Sequence, residues 1–263
     1  MLNIKEIVHS PGDSIITGVP DGFDGAVLGQ FNQNGKSVLF IARDDRRIAA
    51  IKSSLEFFSA DTEVLVFPAW DCLPYDRISP KNDIIAARLD TLTNLADKIN
   101  NRPQIVLTSV AAILQRVPAF DTLRNATLSF GVNGEILRDK LILYLQNNGY
   151  GRSQTVMEPG EYAVRGSIID LYPPGSNEPL RLDFFGDELD SIRTFEPFSQ
   201  RTSGKCERFS LKPFNEISLD ESAVSRFRAS YRALFGVVSD EAPLYEAITE
   251  GQTQAGMDHW LPL

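Results

Sequence analysis

The chain reads as an α/β domain followed by an α+β domain, on three observations. Over roughly the first 118 residues short apolar strands alternate with amphipathic helices. After Pro118 the order breaks, and a long β-rich stretch dense in turn residues takes over. At 263 residues there is enough chain for two separate cores.

A helix is expected to open the chain. Asp13–Gly18 (DSIITG) reads as a short buried strand that breaks at VPDG, with a helix from about Gly22 to Phe31. SVLFIA (Ser37–Ala42) is a strand, ARDDRRIAAIKSSLEFFS a helix with Asp44 near its start, and Glu63–Trp70 another strand. The run AWDCLPYDRISPKND is too rich in Pro and Asp for a regular element. It leads into the helix DIIAARLDTLTNLADKI, where Ile84, Ile85, Leu89, Leu92 and Leu95 form one apolar stripe. Gln104–Val110 is a further strand and AAILQRV a short helix. Near-continuous apolar strands between helices indicate a parallel sheet covered on both faces.

Beyond Pro118, strand-like Ala126–Phe130 precedes a helix from about Gly134 to Asn147, stopped by Asn148-Gly149. The β-rich stretch Glu158–Arg201 follows. From about Cys206 a strand ERFSLKP precedes a helix carrying Val224, Phe227, Tyr231 and Leu234 on its apolar face. The expected division is residues 1–118, 119–205 and 206–263. The final AGMDHWLPL stops on an apolar sequence without a closing element, as a piece cut from a longer chain would.

The functional argument starts in LRLDFF. Period-two alternation places Leu180, Leu182 and Phe184 on one face, and Arg181, Asp183 and Phe185 on the other. Arg181 and Phe185 then lie about 13 Å apart on one strand face. Arg165, on the parity of Ala163 and Ser167, joins that polar face. An exposed aromatic beside arginine has the composition of a protein-binding hot spot. The competing reading tucks Phe185 under a helix and pairs the arginines with Asp183 or Glu188.

Composition excludes other classes. A net charge of −9 argues against a nucleic-acid grip, which needs a basic stripe. Cys72 and Cys206 match no metal or redox spacing and read as idle thiols in a reducing cytosol. No stretch has the length of a signal peptide core or a membrane span, so a cytoplasmic protein is expected. His9 and His259 sit in no metal spacing. Asp183, Asp187, Glu188 and Asp190 read as solvated turn acids, and Trp70 and Trp260 as packing anchors. No catalytic residue and no metal site is expected.

A phosphate loop needs a strand before it and a helix after it, so that helix N-terminal amides meet the phosphates. Gly35-Lys36-Ser37 supplies only the end of that motif; the opening glycine position is Gln30, and a helix precedes where a strand should. The loop in the right place, Thr17–Gly25, carries Asp24 and Gly25 when counted from Gly18, where lysine and hydroxyl belong. Gly18, Asp24 and Gly25 thus mark a degenerate loop that holds no cofactor.

Taken together, FPAWDCLPYDRISPKNDIIAARLDTL, SVAAILQRV and the run EPGEYAVRGSIIDLYPPGSNEPLRLDFFGDELDSIRTFEPFSQRT resemble the N-terminal part of bacterial transcription-repair coupling factors. They resemble, more loosely, the B subunit of the nucleotide-excision-repair excinuclease. The blocks RG-x-I-I-D and R-L-D-F-F-G-D-E are the most specific. The resemblance implies a degenerate helicase-like, P-loop-type parallel-sheet domain with an inserted α+β domain, and a segment returning to the first domain. It implies docking to the excinuclease A subunit through Arg165, Arg181 and Phe185, a surface held against the C-terminal domain of the same protein until its motor engages. ATP, Mg, DNA and RNA polymerase would belong to regions C-terminal to Leu263, in an ATP-dependent DNA translocase. The excinuclease B subunit keeps a working phosphate loop and a DNA-clamping hairpin; Asp24 and the tight YDRISP connection depart from both.

Overall fold

A computed structural model describes residue 7 and residues 12–73, 76–97, 102–132, 134, 136–238 and 242–260. The expected opening helix, His9 and parts of the YDRISP connection lie outside them. In chain order the elements begin α1 (Asp24–Gln33), β1 (Val38–Ala42), α2 (Asp45–Phe58), β2 (Val64–Phe67) and α3 (Asn82–Ala96). Then come β3 (Ile105–Ser109), α4 (Val110–Ile113), α5 (Phe120–Ala126), β4 (Leu128–Gly131) and α6 (Arg138–Asn147). Seven strands follow: β5 (Gly151–Arg152), β6 (Glu161–Arg165), β7 (Ile168–Leu171), β8 (Leu180–Phe185), β9 (Glu188–Phe195), β10 (Thr202–Cys206) and β11 (Arg208–Leu211). Helices α7 (Glu221–Phe235) and α8 (Pro243–Thr249) and a 3-10 turn (Met257–Trp260) complete the described elements.

The chain divides into two compact units. Residues 1–69 and 97–115 make one, and residues 70–96 and 116–263 the other. This differs from three consecutive segments, because α3 groups with the second unit although β2 and β3 on either side belong to the first. Strand β11, expected to begin a return segment at 206, pairs antiparallel with β4 inside the second unit.

The first unit is built on a parallel three-stranded sheet ordered β1-β3-β2. Central β3 is buried throughout. Ile48, Ile51 and Leu55 of α2 pack on it with Leu28 of α1. Asp44 caps α2, accepting from Arg47 N at 2.8 Å, as its position before the helix foretold. Helices α1 and α2 approach so closely that a Cβ on Gly25 would sit 2.2 Å from Ser54 Oγ, and one on Gly29 1.9 Å from Ser59 Oγ. Two expectations are corrected. Asp13–Gly18 is irregular and open, with Ile15 91% exposed, since two isoleucines beside Gly and Pro give too little apolar surface to hold a strand. The sheet is covered on both faces at its centre but not at its edge: edge strand β1 alternates, leaving Leu39 and Ile41 exposed.

The second unit centres on a six-stranded sheet ordered β10-β9-β8-β7-β6-β5. One face, carrying Tyr162, Ile169, Leu171, Leu180, Leu182, Phe184 and Ile192, packs on Leu141 and Leu145 of α6. GEYAVRGSIIDLY is two strands, because Gly166 and Ser167 form a two-residue hairpin turn, with Arg165 opposite Ile168 and Gly166 at φ 60°. Gly186-Asp187 does the same between β8 and β9, with Gly186 at φ 64°.

Helix α3 is keyed to the segment after β11. Fully buried Arg88 donates to Glu216 at 2.5 and 3.1 Å and lies over the Trp70 ring. Lys212 Nζ donates to Asp90 at 2.5 Å. In α7, Val224 and Phe227 are buried and Tyr231 stacks on Trp260. Leu234, expected on that apolar face, is 67% exposed, because the packing of Tyr245, Ile248 and Met257 ends around Tyr231.

Candidate partner-binding face

Cross-strand register fixes which side chains share the second face of the six-stranded sheet. Ala163, Asp170, Arg181, Arg193 and Lys205 form one row, and Arg165, Ile168, Asp183 and Ser191 the next. One end of this face is covered by Val156, which packs with Ala163 and Phe195. The other end is open.

Phe185 stands at the open end, 82% exposed, beside the Gly186-Asp187 turn, while its neighbour Phe184 is buried. Alternation survives a register shift between Asp183 and Phe184 because the extra residue falls on β9, at exposed Asp190. Phe185 is therefore not tucked under a helix. Arg165 is exposed and donates to Gln154 O and Thr155 Oγ1. Both of these acceptors are neutral.

Arg181 is held differently from either sequence reading. Its Nε and Nη2 clasp Asp170 Oδ1 and Oδ2 at 2.7 and 2.9 Å. Its Nη1 donates to Gln200 O at 3.3 Å, and the guanidinium lies 4.5 Å over the Phe195 ring. The side chain is 17% exposed, and that of Asp170 2%. The hydrogen bonds to Asp170 raise the Arg181 pKa above its usual value, so the guanidinium stays charged. The two motif blocks RGSIID and RLDFFGDE are thereby neighbouring strands tied by one bidentate ion pair. It is Arg193, not Arg181, that pairs with Asp183, at 2.9 Å.

Asp170, Arg193 and the loop residues Phe198 and Gln200 carried no sequence signal as members of this face. Asp170 sits in an apolar run, and only hairpin register reveals that it opposes Arg181.

The other candidate residues scatter. Gly18 lies in the irregular segment, with no strand ahead of it among the described residues. Asp24 opens α1 and is ion-paired with Arg47, so its carboxylate is salt-bridged within its own unit. Lys36 lies in the turn between α1 and β1, remote in topology from a helix N-terminus. Cys72 proves to lie 3.7 Å from His259 Nε2, a pairing across 187 residues that no spacing suggests. Burial, then the charges of Asp71, Asp258 and Asp76, push the Cys72 thiol up, which opposes a thiolate nucleophile. Among the described residues no group of His, Cys, Asp and Glu has the arrangement of a metal site. None of the described helices is long and apolar enough to cross a membrane.

Residues 128–216 match the family model described as the UvrB interaction domain. This match lies within the second unit. The matched span runs from β4 to Glu216, enclosing the six-stranded sheet and both edges of the β4–β11 pair. Over the wider chain, the transcription-repair-coupling factor of Haemophilus influenzae is 35% identical across 260 residues, 98% of this chain and 22% of that protein. The transcription-repair-coupling factor of Escherichia coli is 37% identical across 226 residues, 86% of this chain and 19% of that protein. That of Bacillus subtilis is 28% identical across 232 residues, 82% of this chain and 20% of that protein. The chain thus spans about a fifth of the length of the curated relatives it matches.

Proposed function

We propose that this chain is a non-catalytic recruitment module of a transcription-repair-coupling factor, docking the excinuclease A subunit to bring nucleotide excision repair to stalled RNA polymerase. The observation that carries the reading is Phe185, an aromatic ring 82% exposed at the open end of a sheet face shared with Arg165 and Arg181, inside a UvrB interaction domain. A ring left in water on a rigid strand loses little entropy on entering a pocket, and excludes a large area from solvent there.

The division of labour follows from burial. Phe185 fills an apolar pocket on the partner. Arg165, exposed and without an acidic partner among the described residues, meets an acidic rim and steers the encounter. Arg181 offers its outer edge and holds β7, β8 and the 196–201 loop in one arrangement, so it acts as frame as much as contact. The intact protein we take to be a cytoplasmic, ATP-dependent DNA translocase, whose ATP, Mg, DNA and polymerase sites lie in other domains. One of those domains would cover this face until the motor engages.

The test is a titration of this chain against purified excinuclease A subunit, with Phe185→Ala alongside. Expected are saturable binding and a loss of about 2 kcal/mol or more in the variant, read mainly in the dissociation rate. Equal affinities for both proteins would sink the proposal.

A further inference from the structure

A second exposed aromatic sits on the same domain. Phe198, in the loop joining β9 to β10, is 86% exposed, yet its loop is tightly built. The Glu196 carboxylate accepts from Phe198 N at 3.0 Å and Ser199 N at 2.5 Å. These bonds, with that to the Ser199 hydroxyl first, hold the Glu196 pKa below its usual value. Glu196 N donates to Arg201 O at 2.9 Å, and Gln200 N to Glu196 O at 2.8 Å. Gln200 has φ 58°, the one positive value among the described residues other than glycine. Its side-chain amide donates to Val156 O at 3.1 Å and Pro197 O at 2.6 Å. Its carbonyl receives Arg181.

The carboxylate cap and the left-handed Gln200 fix the backbone on both sides of Phe198, so the ring is held out in water on a rigid support. A left-handed residue other than glycine persists where the surroundings impose it. The bonds to Val156 and Arg181 place the loop on the same side of the sheet as the candidate docking face. The length of β8 separates its two ends by roughly 17 Å. An ordinary interface of about 800 Å² per partner is wide enough to include both.

We propose that Phe198 is a second aromatic anchor for the excinuclease A subunit, preorganised by Glu196 and Gln200 and registered to the first anchor through Arg181. This rests on the docking reading above. A single ring sets where a partner attaches; two rings at opposite ends of β8 also set its rotation on the sheet.

The experiment is a binding titration of wild type, Phe198→Ala, Glu196→Ala and the double variant against the excinuclease A subunit, with thermal midpoints recorded for each. Phe198→Ala should weaken binding about tenfold or more without moving the midpoint. Glu196→Ala should weaken it several-fold, because the loop must then order on binding, and should add nothing once Phe198 is gone. Unchanged affinity of Phe198→Ala beside a clear loss in Phe185→Ala would overturn the second anchor and leave the docking reading standing. Independent, additive losses for Glu196→Ala and Phe198→Ala would overturn the preorganisation. Absence of binding by folded wild type would remove both proposals.

Discussion

Arg181→Ala should damage the fold before it damages recognition. Asp170 is 1% exposed, and two hydrogen bonds of 2.7 and 2.9 Å from Arg181 neutralise its charge. Removing the arginine strands that carboxylate in the sheet. Breaking a buried pair in this way costs about 3–5 kcal/mol, and losing the guanidinium over Phe195 adds roughly 0.5–1 kcal/mol. Against a typical stability of about 5–15 kcal/mol, that is a large share. With a urea slope of about 2 kcal/mol/M, the unfolding midpoint should fall by roughly 2 M. Phe185→Ala, at an exposed site, should stay within about 0.5 kcal/mol of wild type. The double variant Asp170→Leu with Arg181→Met should recover most of the loss, since no charge is left buried. Denaturation followed by far-UV circular dichroism measures all of these. An Arg181→Ala midpoint equal to wild type would refute the buried-pair account. It would also restore Arg181 to the status of a simple contact residue.

Other expectations are narrower. Arg88→Ala leaves Glu216 buried without its cation and should cost about 3–5 kcal/mol in the same assay. Gly25→Val forces side-chain atoms into Ser54 where α1 meets α2, and should destabilise by about 1–3 kcal/mol. Asp220 caps α7, accepting from Ala223 N at 2.9 Å, and Asp220→Ala should cost about 1 kcal/mol at neutral pH. Bonds from Ser222, Ser218 and Ala223 hold the Asp220 carboxyl far below its ordinary 3.8, so the folded state favours the ionised form. Its contribution is therefore complete above that ordinary value and fades as pH falls further, and wild type and Asp220→Ala should converge in acid. Titration with a fluorescent nucleotide should show no saturable binding to this chain; saturation abolished by Lys36→Ala would revive the phosphate-loop reading.

Local pattern was legible wherever one face of an element is buried. The alternation in LRLDFF sorted Leu182 from Arg181 and Phe184 from Phe185, because burial on one side of a sheet forces period two. Asp44 was readable as a helix start for a similarly local reason. What the sequence hid was pairing across distance. Nothing in RGSIID shows that Asp170 meets Arg181, since that depends on two hairpin registers. Nor does anything near Cys72 point to His259. Marginal apolar runs misled in both directions. DSIITG had the residues of a strand without neighbours to bury it, while α8, two turns long, and the short polar β10 are too brief to show a period. Helix α3 carried a clear stripe, yet periodicity cannot say which unit the stripe packs into.

That last feature limits how portable the domain is. The chain passes between the two units at 69/70, 96/97 and 115/116, so the second unit is not a single cassette. A graft of residues 128–216 onto another scaffold would take Glu216 and Lys212 along but leave Arg88 and Asp90 behind. It would arrive with Glu216 stripped of Arg88 and Trp70 and the α3 side of its packing open to water. Anyone transplanting this sheet face must carry α3 with it, or redesign the seam.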